Sequence, residues 1–221
     1  MSLKSNYRDG DSFSRKSKEE GYRSRASYKL KQILDKELKL LKDQSVFDLG
    51  SFPGGWSQVI SNKLGKGGKL AAIDIQPMEP IKDCFFLQKP IEDLCNEDLE
   101  EIKEFLPFDL VLSDMAPNIS GIKDRDNALM IGLVDRVLSV IDNFLKVNGS
   151  TVIKVFHGDS MDYTNLALRK RFNKVKISKP KASRPNSKEI YLIGKDLKKY
   201  ERTSKKLIYV AIHSYHGIFC L

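Results

Sequence analysis

The feature that most constrains this chain is an alternation of two periodicities. Short β-prone apolar runs, each closed by glycine or a turn, take turns with segments whose apolar residues recur every three or four positions. The first run is Val46-Phe47-Asp48-Leu49, ended by Gly50. Trp56, Val59, Ile60 and Leu64 follow at helical spacing until Gly65, Gly67 and Gly68 stop the pattern. Further β-prone runs lie at residues 70–73, 84–87, 108–113, 151–156, 175–177 and 190–193. Helical patterns fill 27–41 (Leu30, Ile33, Leu34, Leu38, Leu41), 99–105, 128–145 and 163–172. Parallel neighbours need a crossover, and each crossover helix covers a sheet face. The alternation therefore predicts an α/β fold: a mainly parallel, seven-stranded sheet with helices on both faces.

The length of 221 residues fits one domain, and 41% hydrophobic residues can supply its core. Residues 1–21 lack an apolar period and are expected to be a flexible basic segment, with order beginning near Tyr22. Residues 22–196 form the body, and 197–221 an extension outside the strand scheme. Within that extension His213, His216 and Cys220 fit a spare strand or mobile tail better than a metal site. No apolar run reaches the roughly 18–20 residues of a membrane span, and the polar N-terminus is unlike a secretory signal, so a cytoplasmic protein is expected. Cys84, Cys95 and Cys220 are odd in number and lack ligand-pair or redox spacing, so neither a disulfide framework nor a bound metal is expected.

The net charge of +9 is unevenly spread. Residues 1–46 carry 12 Lys and Arg against 7 Asp and Glu, residues 47–168 carry 11 against 19, and residues 169–221 carry 15 against 3. Two basic ends around an acidic middle fit a polyanion footprint, most often nucleic acid, with the chemistry housed elsewhere. A solvated surface with a basic tail accounts for the same numbers.

In open parallel sheets ligands bind beyond the carboxyl ends of the strands, so the residues just past each strand carry the chemistry. After the first strand comes Gly50-Ser51-Phe52-Pro53-Gly54-Gly55-Trp56. Phe52 stands where a dinucleotide fingerprint needs glycine, and the Gly-Lys-Ser/Thr ending of a P-loop is missing. A small nucleoside ligand without a pyrophosphate remains. Asp74, 24 residues after Gly50, ends the second strand where a carboxylate can accept from both hydroxyls of a ribose. Together these suggest S-adenosylmethionine, although the loop alone fits equally a tight βα turn with an exposed aspartate.

Asp114 follows the fourth strand in Ser113-Asp114-Met115-Ala116-Pro117-Asn118, at the same rim. Lys154 interrupts the apolar strand Val152-Ile153-Lys154-Val155-Phe156, and Glu189 heads the last one. A lysine inside an apolar strand is costly unless paired, which makes Lys154 a functional candidate. A buried Lys–Asp or Lys–Glu pair that fixes strand register is the alternative.

Five segments, in this order, resemble the FtsJ/RrmJ (RlmE-type) ribosomal RNA 2′-O-methyltransferases: Ser24-Arg25-Ala26-Ser27-Tyr28-Lys29-Leu30; Asp48-Leu49-Gly50 through Pro53-Gly54-Gly55-Trp56-Ser57-Gln58; Ser113 through Asn118; Val152 through Phe156; and Ser187-Lys188-Glu189-Ile190-Tyr191. The resemblance runs from about Tyr22 to Gly194. It implies a Rossmann-like S-adenosylmethionine-dependent methyltransferase fold and a catalytic tetrad of Lys29, Asp114, Lys154 and Glu189. It further implies cofactor contacts at Gly50, Gly54, Trp56, Asp74 and Asp114, and at the position of Pro90. The implied substrate is a uridine 2′-hydroxyl of 23S rRNA within the large ribosomal subunit, with the enzyme a monomer and no membrane involved.

Where the family carries an acid that reads the adenine amino group, this chain has Leu87-Gln88-Lys89-Pro90. The expectation is therefore an adenine held by apolar packing and backbone, with Glu92 and Asp93 solvated in a turn. Arg23, Arg25, Arg169, Lys170, Arg171, Lys179, Lys181 and Arg184 are the candidates to grip RNA phosphates. The alternatives are the same transfer on tRNA or an mRNA cap, and a non-catalytic RNA-binding factor of ribosome assembly.

Overall fold

The computed structural model describes residues 4–94, 96–184 and 186–199. The extension expected at 197–221 lies outside them from residue 200 onward, with His213, His216 and Cys220, and so does Cys95. After helix α1 (Lys4–Glu19) come α2 (Ala26–Glu37), β1 (Ser45–Leu49), α3 (Gly55–Lys63), β2 (Lys69–Asp74) and β3 (Cys84–Gln88). A 3-10 turn (Ile91–Asp93) and α4 (Asn96–Glu101) lead to β4 (Phe108–Ser113). Then follow α5 (Lys123–Phe144), β5 (Leu145–Phe156), α6 (Asp159–Arg171), β6 (Phe172–Ser178) and β7 (Glu189–Leu197).

Seven strands form one sheet in the order β3-β2-β1-β4-β5-β7-β6. The four pairings from β3 to β5 are parallel, whereas β7 runs antiparallel to both β5 and β6, so the sheet is mixed. Reversing β7 brings its first residue to the rim where the parallel strands end, because Glu189 pairs with Phe156.

Alternation along each strand divides the core into two faces. Leu30, Ile33 and Leu34 of α2 and Trp56, Val59 and Ile60 of α3 pack on Val46, Leu70, Leu112, Val152, Tyr191 and Ile193. Met130, Val134, Val137 and Ile141 of α5 and Leu168 of α6 cover Phe47, Leu49, Ile73, Val111, Ile153 and Leu192 on the other face. Since Lys154 follows Val152 by two, and Glu189 precedes Tyr191 by two, both side chains stand on the α2 side of the sheet.

The sequence offers no apolar period over the first twenty residues, yet α1 spans Lys4–Glu19. Its last turns dock on α2: the Phe13 ring lies 5.4 Å from that of Tyr28, Ser17 is buried, and Lys31 pairs with Glu20 at 3.3 Å. Those contacts come from tertiary neighbours that no local pattern reveals. The stripe read through Leu41 stops earlier, at Glu37, where Leu38 turns to extended backbone and Leu41 is exposed. The helix read over 99–105 is broken into α4 and a separate 3-10 turn (Lys103–Phe105).

Candidate active site

The strand ends present two adjoining structures, a knot of paired charges and an open cavity. In the knot, Lys29 projects from α2 and its Nζ donates to Glu189 Oε2 at 2.6 Å. Lys154 Nζ lies 3.2 Å from Asp114 Oδ1 and donates to the Asp114 carbonyl. The Tyr191 hydroxyl donates to the same Asp114 oxygen at 3.0 Å, and its ring lies 6.0 Å from Lys29 Nζ and 5.8 Å from the Trp56 ring. Both lysines are buried, at 8% and 7% exposure, which is tolerable only because each has a carboxylate partner.

Burial pushes the Glu189 carboxyl upward, but the Lys29 hydrogen bond and charge, the Lys154 charge and the Ser187 hydroxyl outweigh it, and its pKa falls below the ordinary carboxylate value. Burial first, then the Asp114 and Glu189 charges, raise Tyr191 well above a normal phenol, so it stays a neutral donor. The structure thus brings Lys29, Asp114, Lys154 and Glu189 together. It also adds Tyr191, which stands two residues after Glu189 at the end of the last segment that carries the family resemblance.

The cavity, about 350 Å³, is lined by Gly50, Phe52, Ile73, Asp74, Ile75, Gln76, Lys89, Ile91, Glu92, Asp114, Met115, Ala116, Asn118 and Leu133. That volume is within the range of small-ligand sites. Asp74 is oriented by backbone: its Oδ2 accepts from the Phe52 N–H at 2.9 Å and its Oδ1 from the Gln76 N–H at 2.8 Å. Gly50 has φ +71°, and a Cβ there would meet Met115 Cγ at 2.1 Å, so only glycine lets the 114–118 loop close over the first strand. Beneath both halves lies Asp48, fully buried, whose Oδ2 accepts from the Ser57 hydroxyl at 2.6 Å. Burial pushes its pKa up to about 7 against the Ser57 hydrogen bond, helped by the charges of Asp114 and Asp74.

Several expected residues stand elsewhere. Trp56 does not line the cavity: its indole is buried in the α2–α3 core and donates to the Ala26 carbonyl at 2.9 Å. Gly54 packs behind the loop, against Arg23, Met78 and Ile81. Pro90 is not among the lining residues either, although Lys89, Ile91 and Glu92 around it are. Glu92, expected in solvent, is therefore a wall residue, because the 3-10 turn (Ile91–Asp93) swings it back over the cavity while Asp93 stays exposed.

The eight candidate RNA-gripping cations also separate. Lys179, Lys181 and Arg184 lie on the loop between β6 and β7, beside the tetrad, and Arg25 donates to the Ala182 carbonyl of that loop. Arg169, Lys170 and Arg171 end α6, about 20 Å from its start at the functional rim. There Arg171 forms a two-pronged pair with Asp142 at 2.8 and 2.7 Å, so the three do not converge with the loop cations. Arg23 spends its guanidinium on backbone carbonyls.

A model of the FtsJ-like methyltransferase family matches residues 22–197. The chain is 42% identical over 195 residues to a ribosomal RNA large subunit methyltransferase E of Janthinobacterium sp. (strain Marseille), covering 85% of this chain and 91% of that protein. The protein of the same name from Marinobacter nauticus is 43% identical over 188 residues, covering 84% and 90%. Among solved structures, a ribosomal RNA methyltransferase of Plasmodium falciparum superposes with a TM-score of 0.71 at 30% identity, over 80% of this chain and 98% of that one. A fibrillarin/Nop5p complex, at 15% identity and a TM-score of 0.56, shares the fold alone, over 79% of this chain and 85% of that one. With the paired lysines and acids at the rim and the family match across the whole sheet, the chain belongs to the FtsJ-like methyltransferases.

Proposed function

We propose that this methyltransferase transfers the methyl group of S-adenosylmethionine to the ribose 2′-hydroxyl of a uridine in 23S rRNA of the large ribosomal subunit, as a monomeric cytoplasmic enzyme. Residues 22–196 carry the reaction. The observation that supports this most is the joining of a lysine-carboxylate knot to a nucleoside-sized cavity through one residue, Asp114, which belongs to both.

The cavity residues fit the methyl donor. Asp74, held by two backbone N–H groups, presents a carboxylate for a ribose diol, Gly50 keeps the loop close, and Ile73, Ile91 and Leu133 offer apolar walls for a base. When bound, S-adenosylmethionine supplies an activated methyl on a sulfonium, already a good electrophile. What the protein must add is alignment of the acceptor oxygen and removal of one proton. Lys154, fixed by Asp114, donates to the 2′-oxygen and orients its lone pair toward the methyl group, and the hydroxyl proton leaves to water. Lys29 and Glu189 hold the acceptor side of the knot, and Tyr191 fixes the Asp114 carboxylate that anchors Lys154. Lys179, Lys181 and Arg184 place phosphates at the rim, on a loop that Arg25 holds through the Ala182 carbonyl. Transfer of labelled methyl to isolated large subunits, compared with tRNA and capped transcripts, tests the reading. Label in a 23S rRNA ribose supports it, and label in the other RNAs alone contradicts it.

A further inference from the structure

The cavity walls are loops that leave the sheet, joined near its edge by the Gly50 and Ser51 N–H groups, which donate to the Ile73 carbonyl at 2.9 and 3.2 Å, and by the Phe52 N–H on Asp74; farther out both loops run past the last ladder pair, Leu49 with Ile73. One wall carries Gly50 and Phe52, the other Ile75 and Gln76. Arg23 spans the two from behind. Its Nη1 donates to the Pro53 carbonyl of the first loop at 3.3 Å and to the Glu79 carbonyl of the second at 2.6 Å, and its Nη2 donates to the Pro80 carbonyl at 2.9 Å. The residue is itself anchored, because its backbone N–H donates to Gln58 Oε1 at 2.8 Å and Gln58 Nε2 donates to the Gly21 carbonyl at 3.2 Å. Gly54 makes room for the guanidinium: it has φ +105°, and a Cβ there would sit 2.9 Å from Arg23 Nη1.

We propose that Arg23 is a positioning residue of the cofactor cavity, a clamp that fixes the separation of its two loop walls, and not a phosphate contact of the RNA surface. The inference rests on reading the cavity as the S-adenosylmethionine site. The chemistry of the side chain carries it. A guanidinium presents donors in a rigid planar fork that can hold three carbonyls at once, whereas a lysine ammonium is a point charge on a flexible stem. Donors spent on backbone carbonyls are not offered to phosphate. Holding both walls before the ligand arrives removes an ordering cost that binding would otherwise bear.

Full-length Arg23→Lys and Arg23→Gln separate geometry from charge. Calorimetric titration should show S-adenosylmethionine bound about 5–20-fold more weakly by both variants. Turnover at saturating cofactor should stay near wild type, and the slope of log affinity for 23S rRNA against log salt should not change in Arg23→Gln. Amide exchange of the free proteins should quicken at residues 50–55 and 75–80 while the core strands keep their protection. Wild-type cofactor affinity in Arg23→Lys, or a flatter salt slope with unchanged cofactor affinity in Arg23→Gln, would overturn the proposal. If the wild-type protein did not bind S-adenosylmethionine, the cavity reading would fall instead, and the exchange rates would still show whether Arg23 clamps the loops.

Discussion

The two halves of the site solve opposite problems. The acceptor half is buried and charged: Lys29, Lys154, Asp114 and Glu189 neutralise one another within 2.6–3.2 Å, and Tyr191 takes a further lone pair of Asp114. The cofactor half is open, built from loops, and its key carboxylate is held by backbone N–H groups rather than by a counter-ion. Removing a group from the first should leave a buried charge unpaired and disturb chemistry and stability. Removing one from the second should mainly weaken binding. The division is that a desolvated catalytic group has to bring its partner with it, whereas a ligand-facing group at an open rim can wait for the ligand.

The largest expected effect falls on Lys154. Lys154→Ala should lower methyl transfer by about 10³-fold or more and leave S-adenosylmethionine affinity within a few-fold, as read by turnover beside calorimetry. A parallel loss of both would erase the division. Next, Asp74→Ala should weaken the cofactor by about 1–3 kcal/mol through lost charge-assisted hydrogen bonds, with little change in turnover at saturating cofactor.

Glu189→Gln strips Lys29 of its counter-ion and should cost about 1–3 kcal/mol of stability at neutral pH by denaturant unfolding. The sign follows from its depressed pKa: the folded state holds fewer protons, so Glu189 contributes stability above its unfolded value of about 4.5 and loses it as pH falls through the folded value. The variant should lack that acid-side loss. Asp48 behaves in the opposite sense. Its folded pKa near 7 exceeds the unfolded value, so the folded state holds the extra proton and stability declines as pH rises from about 4 through 7. Asp48→Asn should flatten that decline; an unchanged profile would show that the buried acid does not titrate as its surroundings imply.

The smallest effect concerns RNA. Neutralising Lys179, Lys181 and Arg184 together should flatten the salt slope by about 2–3 phosphate contacts and spare cofactor affinity. The same treatment of Arg169 and Lys170, on the opposite rim, should change it less. Equal losses from the two sets would mean that the RNA wraps the whole sheet.

Strands were the most legible part of the sequence, because parallel strands buried on both faces read as continuous apolar runs; residues 108–113 match β4 at both ends. The N-terminal helix was illegible because Phe13 and Ser17 are stabilised by Tyr28 and its neighbours, not by a local stripe. Of the four residues in the knot, Lys154 stands out in the sequence as a lysine in an apolar strand and Asp114 and Glu189 as acids at strand ends, whereas Lys29 rests on the family resemblance alone. The hydroxyl of Tyr191 could not be read, since an aromatic in a strand is ordinarily core. The partners of the arginines are illegible for a different reason: cationic composition does not tell a guanidinium turned to solvent from one facing carbonyls, as Arg23 does, or a carboxylate, as Arg171 does. Glu92 was misplaced because the direction of a 3-10 turn after Pro90 is set by packing, not by residue type.

Ribose-methylation mapping of 23S rRNA from a strain lacking this protein, complemented with the wild type or with Lys154→Ala, tests the central claim most directly. The account predicts one uridine whose 2′-O-methyl group is missing in the deletion strain, restored by the wild type and not by Lys154→Ala. A complete methylation map in the deletion strain, or full restoration by Lys154→Ala, would contradict it.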